Sequence, residues 1–228
     1  MKPVNEKDEP IAPTTVTKPA LHHPGMRPRW LAIVAILAIG VIYAFLPPNL
    51  RVIEPNWLLL VIEGALILPL FLTYRRLSHT TIRLFILLLL GIITLALAAG
   101  ITLLIITLPK NSQGLSLLRS AVLLWIFNIL VFALWYFEID GNGPYQRHLS
   151  KHKAADFMFP QQADGNTTGW IPLFTDYLFL AFTGATALSP ADTFPLTRKA
   201  KVLMMLEAIF SMAIIILLAA RAVNILTS

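Results

Sequence analysis

Residues 171–225 read IPLFTDYLFLAFTGATALSPADTFPLTRKAKVLMMLEAIFSMAIIILLAARAVNI, and this stretch decides the fold. It contains an apolar segment that is too short to cross a bilayer, followed at once by one that is long enough. A helix over residues 175–186 would rise only about 18 Å, whereas the hydrocarbon core of a bilayer is about 30 Å thick. The stretch therefore predicts a helix that enters the membrane and stops, and then a spanning helix at residues 201–226.

The composition of the whole chain is typical of a membrane protein. Hydrophobic residues make up 57% of its 228 residues and charged residues 13%, against about 45–50% apolar and about 25% charged residues in soluble domains. The absence of cysteine excludes disulfides, thiolate metal sites and cysteine nucleophiles. The net charge of +6 comes mostly from loop Lys and Arg, which indicates contact with lipid headgroups and no binding of nucleic acid.

The chain divides into regions of different composition. Residues 1–29 are rich in proline and predict a disordered tail. Residues 30–137 predict a four-helix transmembrane region, with apolar segments at about 30–46, 56–74, 81–108 and 115–137. Residues 138–169 predict a polar interfacial loop with a short helix near 147–155, and residues 170–228 the re-entrant and final helices. The predicted fold class is an all-α integral membrane protein with about five transmembrane helices plus one re-entrant half-helix.

The C-terminal quarter of the chain carries an ordered set of motifs. They are a short aromatic segment, DYLFLAFT at 176–183, then Thr-Gly-Ala-Thr at 183–186, then a Pro-Leu-Thr turn with basic residues that leads into the last helix. This order resembles the pore helix, filter and inner helix of potassium channels, and the resemblance implies a pore-type module. The filter position is degenerate, because potassium filters need glycines that let consecutive carbonyls face the ion, and Gly184 is the one glycine in residues 183–188.

Aromatic, acidic and glycine residues mark the second half of the chain. They are Trp135, Tyr136, Phe137, Glu138, Asp140, Gly143, Pro144, the sequence DFMFP at 156–160, and Trp170. In these residues the chain resembles a family of uncharacterised bacterial multi-pass membrane proteins. The resemblance implies a bacterial cytoplasmic (inner) membrane location and a re-entrant segment as a family feature, and it transfers no site or substrate.

Basic residues divide unequally between the two ends of the predicted helices. If the N-terminus is cytoplasmic, only Arg51, Lys110, Arg119 and Arg221 of the 18 Lys and Arg residues lie on the far side. The positive-inside rule then predicts a cytoplasmic N-terminus and a cytoplasmic loop before the re-entrant segment. A potassium channel admits its pore loop from the outside. Either the module is inverted, which the charge distribution favours, or the positive-inside rule fails for this chain.

Polar residues at and after the short helix are the first candidates for function. The candidates for a pore or ion path are Asp176, Thr183, Gly184, Thr186, Ser189 and Asp192. Backbone that ends at membrane depth is tolerated where protein or water satisfies it, and the functional interpretation is therefore a ligand or ion vestibule. The alternative is structural: Asp176 anchors the start of the short helix, and Asp192, Thr193 and Thr197 cap helix starts.

Ionisable residues inside apolar segments are the second set of candidates. They are Glu63, Glu207 and Arg221. A charge in lipid costs several kcal/mol unless it is paired or faces water, so such residues are functional candidates by default. Glu63 and Glu207 are the better candidates for a relay, whereas Arg221 is as well explained by its reaching the interface.

These observations predict an ion-channel-like or transport-like protein that binds monovalent ions, forms a homo-oligomer and carries no cofactor, metal or catalytic site. The alternative is a non-conducting structural, regulatory or lipid-binding membrane protein. An enzyme is not indicated, and a membrane enzyme using Glu138, Asp140 and Asp156 is a distant third interpretation. His148 and His152 have helical spacing, but no HExxH motif accompanies them.

Overall fold

The computed structural model describes residues 30–72, 79–107, 114–186 and 192–227. Its helices are α1 (Trp30–Phe45), α2 (Leu58–Leu72), α3 (His79–Thr107), α4 (Gly114–Ile139), α5 (Pro144–Leu149), α6 (Phe174–Ala185) and α7 (Arg198–Thr227). Two short strands, β1 (Phe157–Met158) and β2 (Phe194–Pro195), pair antiparallel. The described part of the chain is mostly helical (77%), which agrees with the predicted all-α class.

Three described helices are long and apolar enough to cross a membrane. They cover Thr80–Thr107, Leu115–Asn142 and Arg198–Ala220, and they match the third, fourth and fifth predicted spans. The helices at the first two predicted spans are shorter, with 16 residues in α1 and 15 in α2. At about 1.5 Å per residue each of these two rises roughly 23 Å, less than the thickness of a hydrocarbon core.

Helix α4 is the centre of the fold. It packs against α1, α3, α6 and α7, and its candidate span is 61% buried, against 17% for that of α7. Aromatic rings fill the contacts: Phe132 meets Phe210 of α7 with ring centroids 6.0 Å apart, and Phe137 meets Phe174 of α6 at 5.8 Å. Beyond the basic first turn of α7, its free face is apolar, with exposed Val202, Met205, Ile209, Met212 and Ile216. An apolar free face suits contact with lipid.

One end of the bundle gathers the end of α4 and the starts of α6 and α7. Asp140, directly after α4, accepts a hydrogen bond from Tyr177 in the first turns of α6. The strand that precedes α7 pairs with the loop that follows α4, with Phe157 opposite Pro195. Helices α6 and α7 therefore start together and run side by side in the same direction.

Helix α6 ends beside the middle of its neighbour. With 12 residues it rises about 18 Å, and its Gly184 lies against Glu207, the tenth residue of α7. Strand β2 lies at the end of the bundle from which α6 starts. The observed bounds of α6 differ from the predicted bounds of 175–186 by one residue at each end.

Two local predictions differ from the structure. The loop helix ends at Leu149, short of the predicted residue 155, because Lys151 and His152 adopt positive φ angles of 55° and 54°, which no α-helix contains. Asp192 and Thr193 cap no helix, because strand β2 follows them. Thr197 does sit before a helix as predicted, and its Oγ1 accepts the N–H of Ala200 at 3.4 Å.

Candidate functional site

The last turn of α6 lies directly on the side chain of Glu207. A Cβ atom built on Gly184 would be 2.7 Å from Oε2 of Glu207 and 3.3 Å from its Cδ. Glu207 is fully buried, at 0% exposure. Only glycine allows this approach without displacing the carboxyl group. The role of Gly184 is therefore close helix contact, and its own backbone is helical.

Polar bonds from α4, α6 and α7 converge around this contact. The Tyr136 hydroxyl donates to Oε2 of Glu207 at 2.5 Å, and the Asn128 side-chain amide donates to the Glu207 backbone carbonyl at 3.4 Å. The Ser211 hydroxyl donates to the carbonyl of Ala185, the last residue of α6. These bonds fix the end of the half-length helix against both long helices.

The electrostatics of this cluster favour a positive partner. Oε1 of Glu207 has no hydrogen-bond partner among the described residues. The C-terminal end of α6 lies beside it, and a helix C-terminus carries partial negative charge. A buried carboxylate without a cation costs several kcal/mol. The arrangement is therefore suited to a bound proton or to a small cation.

A second polar cluster holds the entrance to α6. Oδ1 of Asp140 accepts the N–H groups of Asp156 and Phe157 at 3.0 and 3.2 Å, and Oδ2 accepts the Tyr177 hydroxyl at 2.6 Å. Asp140 is 1% exposed. Its carboxylate thus connects the end of α4, strand β1 and α6. These three hydrogen bonds give Asp140 a structural role.

Asp156 connects the same loop to α7. Its Oδ2 accepts the N–H of Gly141 at 2.9 Å, and its Oδ1 accepts the Thr197 hydroxyl at 2.6 Å. The Lys199 ammonium lies 3.0 Å from Oδ1. Gly141 has φ +56°, which suits glycine, and a Cβ there would lie 2.7 Å from the Arg147 side chain.

Arg147 is buried beneath the loop, at 2% exposure. Its Nη1 donates to the carbonyls of Phe137 and Asp140 at 2.6 and 2.8 Å, which satisfies carbonyls at the end of α4. The guanidinium also lies over the rings of Phe137 and Tyr177, 4.9 and 5.1 Å from their centroids. A cation at this helix C-terminus also opposes the negative end of its dipole.

Asp176 anchors the start of α6, which is the structural alternative to a place in an ion path. Its Oδ2 accepts the N–H of Leu173 at 2.6 Å, at the N-terminus of α6. Partial burial raises the pKa of the Asp176 carboxyl, against the opposing effect of its backbone hydrogen bonds. The geometry is that of an anion at a helix start.

The remaining predicted path residues do not converge on one point. The Thr183 hydroxyl donates to the Leu180 carbonyl and the Thr186 hydroxyl to the Phe182 carbonyl, both within α6. Asp192 is exposed, and Ser189 lies outside the described residues. Of the candidates that the structure describes, Gly184 is the one in close contact with Glu207.

Glu63 and Arg221 lie apart from this cluster. Glu63 is buried between α2 and α1, where it faces Gly40. Arg221 belongs to the last turns of α7, and its side chain is outside the described residues. Glu207 is therefore the one predicted intramembrane carboxyl that the described structure places at the end of α6.

The histidine pair lies in the loop. Nδ1 of His148 is 3.4 Å from Nε2 of His152. Burial lowers the pKa of His152, and the nearby charges of His148 and Arg147 lower it further. His152 is thus sensitive to acidification, and it lies away from the Glu207 cluster.

Sequence reasoning missed Tyr136 and Ser211 as parts of the site and Arg147 as an anchor. Tyr136 was noted only as part of a resemblance, and Ser211 lies one turn after Glu207, a spacing that places both on one helix face. That spacing was the available signal for Ser211. Asn128 of α4 likewise bonds to the neighbouring helix α7.

Fold and site together define an all-α protein with helices able to cross a membrane and a buried carboxyl at the end of a half-length helix. Comparison with protein-family models, curated proteins and solved structures finds no match to this chain.

Proposed function

We propose that this chain is a multi-pass membrane protein of the transport-like or channel-like kind, in which Glu207 binds a proton or a monovalent cation at membrane depth. The observation that carries the proposal is the buried Glu207 carboxyl beside the C-terminal end of α6. Half-helix ends of this type hold protons and sodium ions in membrane transporters. The exposed apolar face of α7 and the three long apolar helices support the membrane location.

In this proposal α6 is a re-entrant half-helix and α1 and α2 complete a five-span bundle. The described basic residues Arg83, Arg147 and Lys199 lie at the end where α6 starts, because Arg83 donates to Asn142 after α4 and Lys199 pairs with Asp156. By the positive-inside rule this end is cytoplasmic. The half-helix then enters from the cytoplasm, opposite to a potassium channel, in a bacterial inner membrane.

The path lies within one protomer. Glu207 points at Tyr136 and Gly184 of its own chain, so a site of this kind does not require a neighbouring copy. The predicted homo-oligomer stays a prediction, and the apolar face of α7 is the surface on which copies would meet.

The experiment is flux into proteoliposomes that contain the full-length protein. Proton and monovalent-cation gradients are applied in separate arms, which distinguishes the two ligands. Glu207→Gln keeps the size of the side chain and is expected to abolish flux. Glu54→Gln is the matched control, because Glu54 is exposed and pairs only with Arg51 at 3.5 Å. An unchanged flux in Glu207→Gln would overturn the proposal.

A second candidate function is a non-conducting structural or regulatory protein. The bonds of Tyr136, Asn128 and Ser211 favour it, because they make the same cluster a rigid connection between α4, α6 and α7. Under this candidate the wild-type protein shows no flux in any arm, while Tyr136→Phe still lowers the stability of the bundle.

A further inference from the structure

A second buried carboxyl lies at the contact between α1 and α2. Glu63 is 0% exposed, and a Cβ atom built on Gly40 of α1 would lie 2.2 Å from its Oε2 and 2.6 Å from Leu60 Cδ2. Gly40 thus provides the space that the carboxyl occupies. The pair repeats, on different helices, the contact of Gly184 with Glu207.

Among the residues that the structure describes, no counter-charge lies beside Glu63. Neither Oε1 nor Oε2 has a hydrogen-bond partner in the part of the chain that the structure describes. Helix α2 packs on α1 and α3, whose other titratable residues are Tyr43, His79 and Arg83. The Tyr43 oxygen accepts the N–H groups of Val52 and Ile53, and Arg83 donates to Asn142.

A lone carboxylate in such a place is costly. Burying an unpaired charge costs several kcal/mol, whereas a neutral carboxyl costs far less. The neutral acid is therefore the form compatible with the observed packing of α1 on α2.

We propose that Glu63 is a proton-binding site whose bound proton holds α1 against α2, and whose neutral carboxyl is modified by an apolar carbodiimide when the two helices briefly separate. When the proton leaves, the carboxylate has to reach water, and the contact with Gly40 opens. This site lies on α1 and α2, away from the Glu207 cluster, and the inference does not rest on ion transport.

Dicyclohexylcarbodiimide reports the neutral acid directly. The carboxyl oxygen bonds to the central carbon of the reagent while the acid proton moves to one of its nitrogens. The O-acylisourea then rearranges to a stable N-acylurea. Nothing leaves, so the product is a one-to-one adduct that peptide mass spectrometry locates.

The experiment labels the full-length protein in membranes between pH 6 and pH 9. We expect the amount of adduct on Glu63 to fall by roughly tenfold or more from pH 6 to pH 9. The reason is that each pH unit above the midpoint of the Glu63 titration lowers the fraction of neutral carboxyl about tenfold. Exposed Glu54 is the internal control and is expected to carry no adduct. No label on Glu63 at pH 6, or a label that does not decrease with pH, would overturn the proposal.

Variants separate protonation from general misfolding. Glu63→Gln imitates the neutral acid, so we expect this variant to lose the adduct and to keep the thermal stability of the wild-type protein. A clear loss of thermal stability would show that the packing of α1 on α2 requires the charged form. Gly40→Ala is expected to displace the carboxyl and lose the adduct at pH 7. Gly64→Ala is its matched control on α2, because a Cβ there meets nothing within 4 Å. Equal labelling of Gly40→Ala and Gly64→Ala would contradict the inferred contact.

Discussion

Gly184→Ala is the sharpest test of the contact between α6 and α7. The new methyl group would lie 2.7 Å from Oε2 of Glu207, where ordinary contact begins at 3.4 Å, so one group has to move by about 0.7 Å. Overpacking of this kind costs about 1–3 kcal/mol, while alanine gains about 0.5–1 kcal/mol over glycine inside a helix. We therefore expect the free energy of unfolding to fall by about 1–2 kcal/mol.

The assay is reversible unfolding in mixed micelles, followed by circular dichroism during titration with a denaturing detergent. Gly91→Ala is the matched control, because Gly91 is also helical and a Cβ there meets nothing within 4 Å. It is expected to be neutral or stabilising by about 0.5–1 kcal/mol.

A double-mutant cycle identifies the group that the methyl meets. In a Glu207→Ala background the carboxyl is gone, so Gly184→Ala is expected to lose its cost, with a coupling of about 1–3 kcal/mol. The reasoning is refuted if Gly184→Ala is as stable as Gly91→Ala. It is also refuted if the cost persists unchanged in the Glu207→Ala background.

Three further predictions concern the polar loop. Asp140→Ala leaves two backbone donors and a tyrosine hydroxyl without their acceptor. At about 1–3 kcal/mol per unsatisfied group, we expect the free energy of unfolding to fall by about 3 kcal/mol or more. A loss below about 1 kcal/mol would contradict this prediction. Lys199→Met removes the half-exposed partner of Asp156. Because such ion pairs are weak, the free energy of unfolding is expected to fall by less than about 1 kcal/mol in the same assay. A larger loss would show that the ion pair contributes more than a surface pair usually does. The lowered pKa of His152 gives stability that is present above about pH 6.5 and is lost as the pH falls further. The difference between the thermal unfolding temperatures at pH 7.5 and pH 5.5 is therefore expected to be smaller in His148→Asn than in the wild-type protein. An unchanged difference would rule out the contact with His148 as its cause.

Hydrophobic patterning predicted much of the architecture. The apolar run at 171–188 predicted a helix whose bounds lie within one residue of those observed. The rise per residue, compared with the thickness of a bilayer core, predicted that this helix has only about half the length of a span. The polarity of residues 138–169 likewise predicted a loop outside the helices. These properties are local, and the order of residues contains them directly.

The candidate site was predicted only in part. Glu207 was named because a charge is rare in an apolar segment, but its partners Tyr136 and Gly184 lie 71 and 23 residues away along the chain. No periodicity connects such distant positions. Thr183 and Thr186 looked equally polar, and their hydroxyls turned out to bond within α6.

The sequence by itself determined that this chain has long apolar helices, a half-length helix near residues 175–186, and a few carboxyl groups among apolar residues. Tertiary structure alone decided which of these carboxyls meet a glycine, with Gly184 against Glu207 and Gly40 against Glu63. The physical reason is that helix length and polarity follow from neighbours in sequence, whereas the space and hydrogen-bond partners of a buried side chain come from other helices. Those contacts exist only after the helices have packed.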